Sequence, residues 1–191
     1  MSEAPVDNEV PELPLLQAPR AKVHYVANLN QLENAVRELT FSKGSVAIDA
    51  ERASGFKYSQ RAYLVQLRAS TTDIFLIDPV SVPGILEAKP YRELSAALKN
   101  REWILHAATQ DLACLAEIGL EPGAIFDTEL AARLAGQPRV GLGALTENLL
   151  NYRLAKEHSA ADWSTRPLPE GWLNYAALDV DVLHELADAV G

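Results

Sequence analysis

Strand-like segments come first in this chain, and strand and helix patterns alternate after them. Apolar periodicity and turn residues predict a strand over 22–26, a helix over 29–39 and further strands over 45–51, 62–68 and 74–78. The last three strands are joined by connections short enough for hairpins. Such a meander, followed by strand–helix units, predicts an α/β fold with a mixed sheet flanked by helices.

The second half of the chain continues this alternation and ends in two helices. The predicted helices cover 91–98, 109–118, 127–135, 143–150 and 169–190, and the predicted strands cover 103–106 and 125–126. Residues 1–20 hold four of the eleven prolines and have no apolar periodicity, so we predict a mobile or surface-lying tail there. Residues 21–191 contain no linker and are predicted to form one domain.

Composition excludes several classes of protein. No run of about 18 apolar residues exists for a membrane span, and the first residues lack the features of a signal peptide, so we expect a cytoplasmic protein. The single cysteine, Cys114, excludes an internal disulfide. The formal net charge of −9 disfavours a protein that binds nucleic acid only by neutralising phosphates. An acidic protein can still act on phosphodiesters when its carboxylates hold divalent cations that meet the phosphate.

Two acidic residues share one face of the predicted strand over 45–51. Side chains alternate along a strand, so Asp49 and Glu51 lie on one face, and Val46 and Ile48 lie on the other. The apolar neighbours indicate a central strand, where two adjacent carboxylates repel each other and need a cation. A strand end that runs into solvent is the alternative interpretation.

The last predicted helix carries an acid within its apolar stripe. At about 100° per residue, Asp179 lies about 40° from Tyr175, among leucines and valines. The other acids of this helix are predicted to lie on its polar face: Asp181, Glu185 and Asp188. An ionised carboxylate buried without a partner is costly, so Asp179 requires a cation, a basic side chain or hydrogen-bond donors. A nearby arginine or backbone donors, with Tyr175 as an ordinary core residue, form the alternative.

A further acid, Asp111, falls in the first turn of the predicted helix over 109–118, where the helix dipole favours an acid even without a function.

Asp49, Glu51, Asp111 and Asp179 together are four acids on three elements, and they match the needs of a two-metal phosphoryl-transfer site. Mg²⁺ and Mn²⁺ prefer oxygen ligands, and two divalent ions balance the charge of four carboxylates. The sequence therefore predicts a site with two such ions.

Three short motifs resemble those of a known enzyme family. They are IDAE with Asp49 and Glu51, HAATQD with Asp111, and YAALD with Tyr175 and Asp179. Their order and spacing resemble the DEDDy-type 3′→5′ exonucleases. The flanking segments QRAYLVQLR, FDTELAARLAG and ADWSTRPLPEGWLNYAALDV are similar to the catalytic domain of bacterial ribonuclease D, more than to the proofreading domain of DNA polymerases. The resemblance covers roughly residues 40–190.

The resemblance implies a ribonuclease H-like fold, in which a five-stranded mixed sheet has the order 3-2-1-4-5 with strand 2 antiparallel. It also implies that Asp49 bridges two Mg²⁺ or Mn²⁺ ions. Glu51 and Asp179 then complete the coordination of one ion, Asp111 helps to hold the other, and Tyr175 orients or deprotonates the attacking water. Ribonuclease D typically has RNA-binding HRDC domains after the catalytic domain, and we expect none within this chain.

Five further residues are candidates for substrate binding. The predicted hairpin loop over 52–61 alternates cationic and aromatic side chains beside the metal site, and stacking and charge there suit a single-stranded 3′ end. For the loop, the alternative is a surface hairpin of ordinary composition. For His106, the alternative is a histidine that is merely packed at the end of a strand. The candidates are Arg52, Phe56, Tyr58, Arg61 and His106.

Together with the predicted two-metal site, the resemblance implies a metal-dependent 3′→5′ exoribonuclease that trims RNA 3′ ends, such as those of tRNA precursors, and releases nucleoside 5′-monophosphates. Its predicted partners are single-stranded RNA 3′ ends, with no membrane and no dinucleotide cofactor. One alternative is a DNA 3′→5′ exonuclease, because nothing in the sequence identifies a group that recognises the ribose 2′-hydroxyl. The other is a catalytically inactive RNA-binding scaffold, which has no need of four mutually repelling acids.

Overall fold

A computed structural model describes residues 12–53, 56, 61–155 and 161–191. The strands are β1 (Leu15–Leu16), β2 (Val23–Val26), β3 (Val46–Arg52), β4 (Ala62–Ala69), β5 (Ile74–Ile77), β6 (Glu102–Leu105), β7 (Ala124–Asp127) and β8 (Arg153–Leu154). The helices are α1 (Leu29–Phe41), α2 (Lys89–Lys99), α3 (Leu112–Glu117), α4 (Thr128–Leu134), α5 (Leu142–Leu145) and α6 (Glu170–Val190). Strands and helices alternate from β6 to α4, which confirms the predicted α/β class.

Within the described residues, six strands form the central sheet, in the order β2-β5-β4-β3-β6-β7. The run β5-β4-β3-β6-β7 reproduces the expected order 3-2-1-4-5, and β4 is antiparallel to both β3 and β5. The expected count of five strands is wrong, because β2 adds to the edge of the sheet in parallel with β5. The periodicity of residues 22–26 had indicated this strand, whereas the implied five-stranded sheet has no place for it.

Helices cover both faces of the sheet, and β3 lies between two apolar layers. On one face, Ile48 and Ala50 share a buried cluster with side chains of α1, α2 and α3. On the other face, Ala47 packs in a cluster with Ala176 and Val180 of α6. Because side chains alternate along β3, Asp49 and Glu51 lie on the face that α6 covers. The alternative of a strand end in open solvent is therefore wrong.

The predicted helix over 109–118 is interrupted at Asp111. A single 3₁₀ turn, Ala108–Gln110, precedes this residue, and α3 begins after it. Ala107, just before the turn, has a positive φ of 57°, which bends the chain sharply. Asp111 is the N-cap residue of α3, yet its side chain makes no capping hydrogen bond. Its carboxyl group is thus available to the acids of β3.

Asp181 lies in a buried ion-pair network, which corrects its predicted place on the polar face of the last helix. It is 1% exposed. Its Oδ1 accepts a hydrogen bond from Arg68 Nη1 at 2.6 Å, and its Oδ2 accepts one from Arg20 Nε at 3.0 Å. Arg68 comes from β4 and Arg20 from the segment before β2, so two distant parts of the chain cover this side of α6.

Replacing Asp181 with alanine is expected to lower the free energy of unfolding by about 2–3 kcal/mol, because the buried carboxylate that two partly exposed guanidinium groups share is lost. Urea denaturation measures this change. Asp188→Ala is the matched control, since Asp188 lies exposed on the same helix and its loss should change stability by less than about 0.5 kcal/mol. Equal urea midpoints for the two variants would contradict the prediction.

The segment before β2 lies along α6 and beside the later loops. Leu15–Leu16 pairs in parallel with Arg153–Leu154, and Asn174 Nδ2 donates a hydrogen bond to the carbonyl of Gln17 at 2.7 Å. The described part of the predicted tail, residues 12–20, therefore contacts the rest of the domain.

Among the described residues, no helix is both long and apolar enough to cross a bilayer.

Candidate active site

Four carboxyl groups from three elements meet beneath α6. One carboxylate oxygen each of Asp49, Glu51 and Asp179 lies within 4.8 Å of the others. Asp111, which is 6% exposed, is hydrogen-bonded to Asp49 through its carboxyl group. The structure therefore brings together all four acids that the sequence motifs single out. The donor set consists of carboxylate oxygens, which suits hard divalent cations such as Mg²⁺ and Mn²⁺.

Burial and mutual repulsion make these acids hard to ionise in the absence of a cation. Burial is the main cause that raises the pKa of Asp49 to about 6 and of Asp111 to about 8. The pKa values of Glu51 and Asp179 also rise well above their usual range, through burial first and then through the neighbouring acids. Among the described residues, no salt bridge joins a lysine or arginine to any of the four. The cluster thus has the electrostatics of a cation site.

The alternative interpretation of Asp179, that a nearby arginine pairs with it, is true of a different acid of α6. Arg20 and Arg68 both pair with Asp181, two residues beyond Asp179 in α6. Two residues along a helix correspond to a rotation of about 200°, so the two carboxylates point to different sides. Asp179 faces β3 and its acids, whereas Asp181 faces the arginines.

Gln66 contacts the acidic cluster and was missed by the sequence analysis. It lies on β4 directly opposite Asp49 in the antiparallel register, and it is fully buried. Its Nε2 donates to Glu51 Oε1 at 3.2 Å and to Asp49 Oδ2 at 3.4 Å. The amide thus partly offsets the repulsion between the two carboxylates. The sequence shows Gln66 only as a polar residue within a largely apolar strand. Its contact with the two acids follows from the register of β4 against β3, which the sequence does not reveal.

Tyr175 lies one turn before Asp179 on α6 and lines the cleft with Asp49 and Asp179. Its ring stacks on Trp163, with ring centroids 6.5 Å apart and an interplanar angle of 29°. Burial, followed by the charges of Asp179 and Glu51, raises the pKa of the phenol well above its usual value. The hydroxyl therefore keeps its proton at neutral pH and has a proton to donate.

In the part of the chain that the structure describes, two adjoining cavities of about 540 and 500 Å³ form the cleft. Both are lined by Asp49, His106, Tyr175 and Asp179, so the acids lie where the cavities meet. Each cavity has the volume of a small-molecule site. The cleft can therefore receive chain segments on two sides of the acidic cluster.

Three of the five substrate-binding candidates line the cleft. Arg52 and Phe56 line the smaller cavity, and His106 lines both. Arg61 lines neither cavity, and its guanidinium lies 5.9 Å from the ring centroid of Tyr63. Tyr58 lies outside the described residues.

The larger cavity is lined by residues that the sequence analysis did not single out. They are mostly apolar or glycine and come from the segment around α5, from β8 and from α6, with one cation among them. They are Arg139, Gly141, Leu142, Gly143, Ala144, Leu154, Ala155 and Leu183. No motif marks them, since apolar residues at these positions are also typical of a hydrophobic core.

Comparisons with known proteins agree with this geometry. A family model described as 3′-5′ exonuclease matches residues 23–190. DNA polymerase I of Aquifex aeolicus is 32% identical over 162 residues, which are 85% of this chain and 26% of the polymerase. Ribonuclease D of Gluconacetobacter diazotrophicus is 37% identical over 139 residues, which are 71% of this chain and 34% of that protein.

Solved structures share the fold. A protein from Bifidobacterium adolescentis is similar with a TM-score of 0.87 and 47% identity, over 94% of this chain and 43% of that one. Escherichia coli RNase D, an exoribonuclease involved in structured RNA processing, is similar with a TM-score of 0.73 and 25% identity, over 88% of this chain and 44% of that one. The chain thus spans less than half the length of each of these four proteins. Because the family model covers nearly the whole chain, the chain belongs to the 3′-5′ exonuclease family, as a ribonuclease D-like exonuclease domain.

Proposed function

We propose that this chain is a two-metal-ion 3′→5′ exoribonuclease. The observation that carries the proposal is the cluster of four buried carboxyl groups on β3, on α6 and at the start of α3, with no basic side chain paired to them among the described residues. A buried cluster of this kind is stable as ionised carboxylates only when cations occupy it. Membership of the 3′-5′ exonuclease family supports the same chemistry.

In this proposal Asp49, Glu51, Asp111 and Asp179 hold two ions, Mg²⁺ or Mn²⁺. When bound, the ions supply acidification of the attacking water and stabilisation of the leaving 3′ oxygen. Gln66 holds the carboxylates of Asp49 and Glu51 in place through its two donated hydrogen bonds. The chain's residues therefore provide the charge and the geometry.

Tyr175 has an orienting role in this proposal. Its hydroxyl keeps its proton, because the phenol pKa lies above the usual value, so it donates a hydrogen bond to the attacking water or to the scissile phosphate. Trp163 packs against its ring and restricts its rotation.

The proposed substrate is single-stranded RNA, shortened from its 3′ end with release of nucleoside 5′-monophosphates. Similarity to ribonuclease D supports RNA, and we extend the proposal to tRNA precursors in the cytoplasm. Arg52 and Phe56 border the smaller cavity, where charge and stacking suit a single strand. A DNA 3′→5′ exonuclease is the second candidate, and similarity to DNA polymerase I favours it.

The test is the shortening of 5′-labelled single-stranded RNA and DNA of equal length, in Mg²⁺, in Mn²⁺ and in EDTA. A ladder that shortens from the 3′ end of RNA and disappears in EDTA supports the proposal. Faster shortening of DNA would favour the second candidate. RNA binding without shortening under either metal would point to an inactive scaffold and contradict both.

Tyr175→Phe is expected to lower kcat by about 10- to 100-fold, because the hydroxyl that orients the reacting groups is lost. The affinity for Mn²⁺ should change by less than about twofold, since the phenol is not among the oxygen ligands in the proposed site. Single-turnover kinetics and Mn²⁺ titration measure the two quantities. A large loss of Mn²⁺ affinity with unchanged kcat would contradict the orienting role.

A further inference from the structure

His106 follows β6 and lies where the two cavities of the cleft meet. Its Nδ1 lies 2.9 Å from the hydroxyl oxygen of Thr128, the first residue of α4. Thr128 is fully buried, and its hydroxyl also lies 3.1 Å from the carbonyl oxygen of Leu105. The imidazole, the hydroxyl and the carbonyl thus form a short chain of hydrogen bonds.

The direction of this chain determines the tautomer of His106. The Thr128 hydroxyl has one proton, and the carbonyl of Leu105 can only accept, so the hydroxyl donates to that carbonyl. The oxygen of Thr128 must then accept from His106, which places a proton on Nδ1. Burial lowers the pKa of His106, so the ring is neutral at neutral pH. A neutral ring with a proton on Nδ1 has a hydrogen-bond acceptor at Nε2.

This acceptor is turned to the cleft. Because Nδ1 points to the buried Thr128, the opposite edge of the ring, with Nε2, faces the cavities that His106 lines. In the described part of the chain, no group forms a hydrogen bond with Nε2. A phosphate ester has no proton to donate at neutral pH. The position therefore suits a hydroxyl or an N–H group of the substrate.

We propose that His106 Nε2 accepts a hydrogen bond from the 2′-hydroxyl of a ribose that flanks the scissile phosphate. The inference rests on the proposed function, which places that phosphate at the four acids. The sugar is then the nearest donor-bearing group, since one ester oxygen separates it from the phosphate, and bases lie farther away. DNA has no 2′-hydroxyl, so this contact selects RNA. It names the group that the sequence alone did not identify.

The experiment compares the first cleavage of 5′-labelled oligonucleotides of one sequence in Mn²⁺. One is all ribose, and two carry a single 2′-deoxynucleotide, at the terminal or the penultimate position. Wild type is expected to cleave the all-ribose oligonucleotide roughly tenfold faster than at least one of the other two, since a site with a dedicated acceptor discriminates against a ligand without the donor. In His106→Leu this ratio is expected to fall to about one. His106→Gln, which restores an acceptor oxygen, should recover part of it.

Thr128→Val is the second variant, because it removes the hydroxyl that selects the tautomer without changing the ring. A ratio below that of wild type is expected, with Mn²⁺ affinity within about twofold of wild type. An unchanged ratio in both His106→Leu and Thr128→Val would overturn the inference, as would equal rates for all three oligonucleotides in wild type. If a 3′-deoxy terminus produces the His106-dependent loss instead, the assignment to the 2′-hydroxyl is wrong. No shortening of any oligonucleotide would overturn the proposed function itself.

Discussion

Asp179→Asn is expected to reduce exonuclease activity about a thousandfold or more and, at the same time, to raise the melting temperature of the metal-free protein. Activity falls because one anionic oxygen of the cation site is lost. Stability rises because Asp179 lies buried within 4.8 Å of the carboxylate oxygens of Asp49 and Glu51, and asparagine has the same shape without the charge. Removal of this repulsion is worth about 2–4 °C for each kcal/mol in a chain of this length.

The measurements are the rate of 3′-end shortening of labelled RNA and differential scanning fluorimetry in EDTA. Asp188→Asn is the matched control, because it makes the same substitution on an exposed position of α6. It should leave both quantities close to those of wild type. A metal-free Asp179→Asn protein that melts below wild type would show that Asp179 is stabilised by donors rather than strained by its acidic neighbours, and it would remove the main support for a cation site.

Removal of divalent ions is expected to destabilise the protein more at alkaline than at acidic pH. The carboxyl pKa values in the metal-free folded state lie above those of the unfolded chain, at about 6 for Asp49 and about 8 for Asp111. At these two groups the folded state then binds more protons than the unfolded chain, so their contribution to stability is complete below the unfolded pKa values near 4 and is lost as the pH rises through 6 to 8. Bound cations offset the charge that appears over this range.

The melting temperature in MnCl₂ minus that in EDTA measures this linkage. We expect a difference of roughly 5 °C or more near pH 8.5 and a much smaller one near pH 5.5. Asp179→Asn should reduce the difference at the higher pH, because fewer charges remain to be neutralised. A difference that is largest at acidic pH would contradict the proposed cation site.

Local periodicity determined the elements that carry the site. Alternation along β3 puts Asp49 and Glu51 on one face, and the 3.6-residue period of α6 puts Tyr175 and Asp179 on its apolar side. These relations depend only on backbone geometry within one element, so they could be derived from a few consecutive residues. The α/β class followed from the order of the predicted elements, and each of those elements was predicted from its local periodicity.

Relations between distant elements could not be derived in this way. The polar pattern around Asp181 is that of a solvated helix face, yet Arg20 and Arg68 cover it from positions far away in the chain. Gln66 became part of the site through the register of β4 against β3, which the pattern of either strand leaves open. Asp111 reaches Asp49 because the chain turns at Ala107 before α3 begins.

The pattern of residues identifies the acids that have the chemistry of a cation site, because carboxylates within apolar patterns are costly in any fold and are retained only with a partner. Which partners these acids have depends on the packing of the folded chain. It joined the acids of three elements in one cluster, gave the arginines to Asp181 instead of Asp179, and placed His106 in the wall of the cleft with its Nδ1 beside Thr128. Charge and periodicity are local properties of a few consecutive residues, whereas contacts across the sheet depend on how whole elements pack.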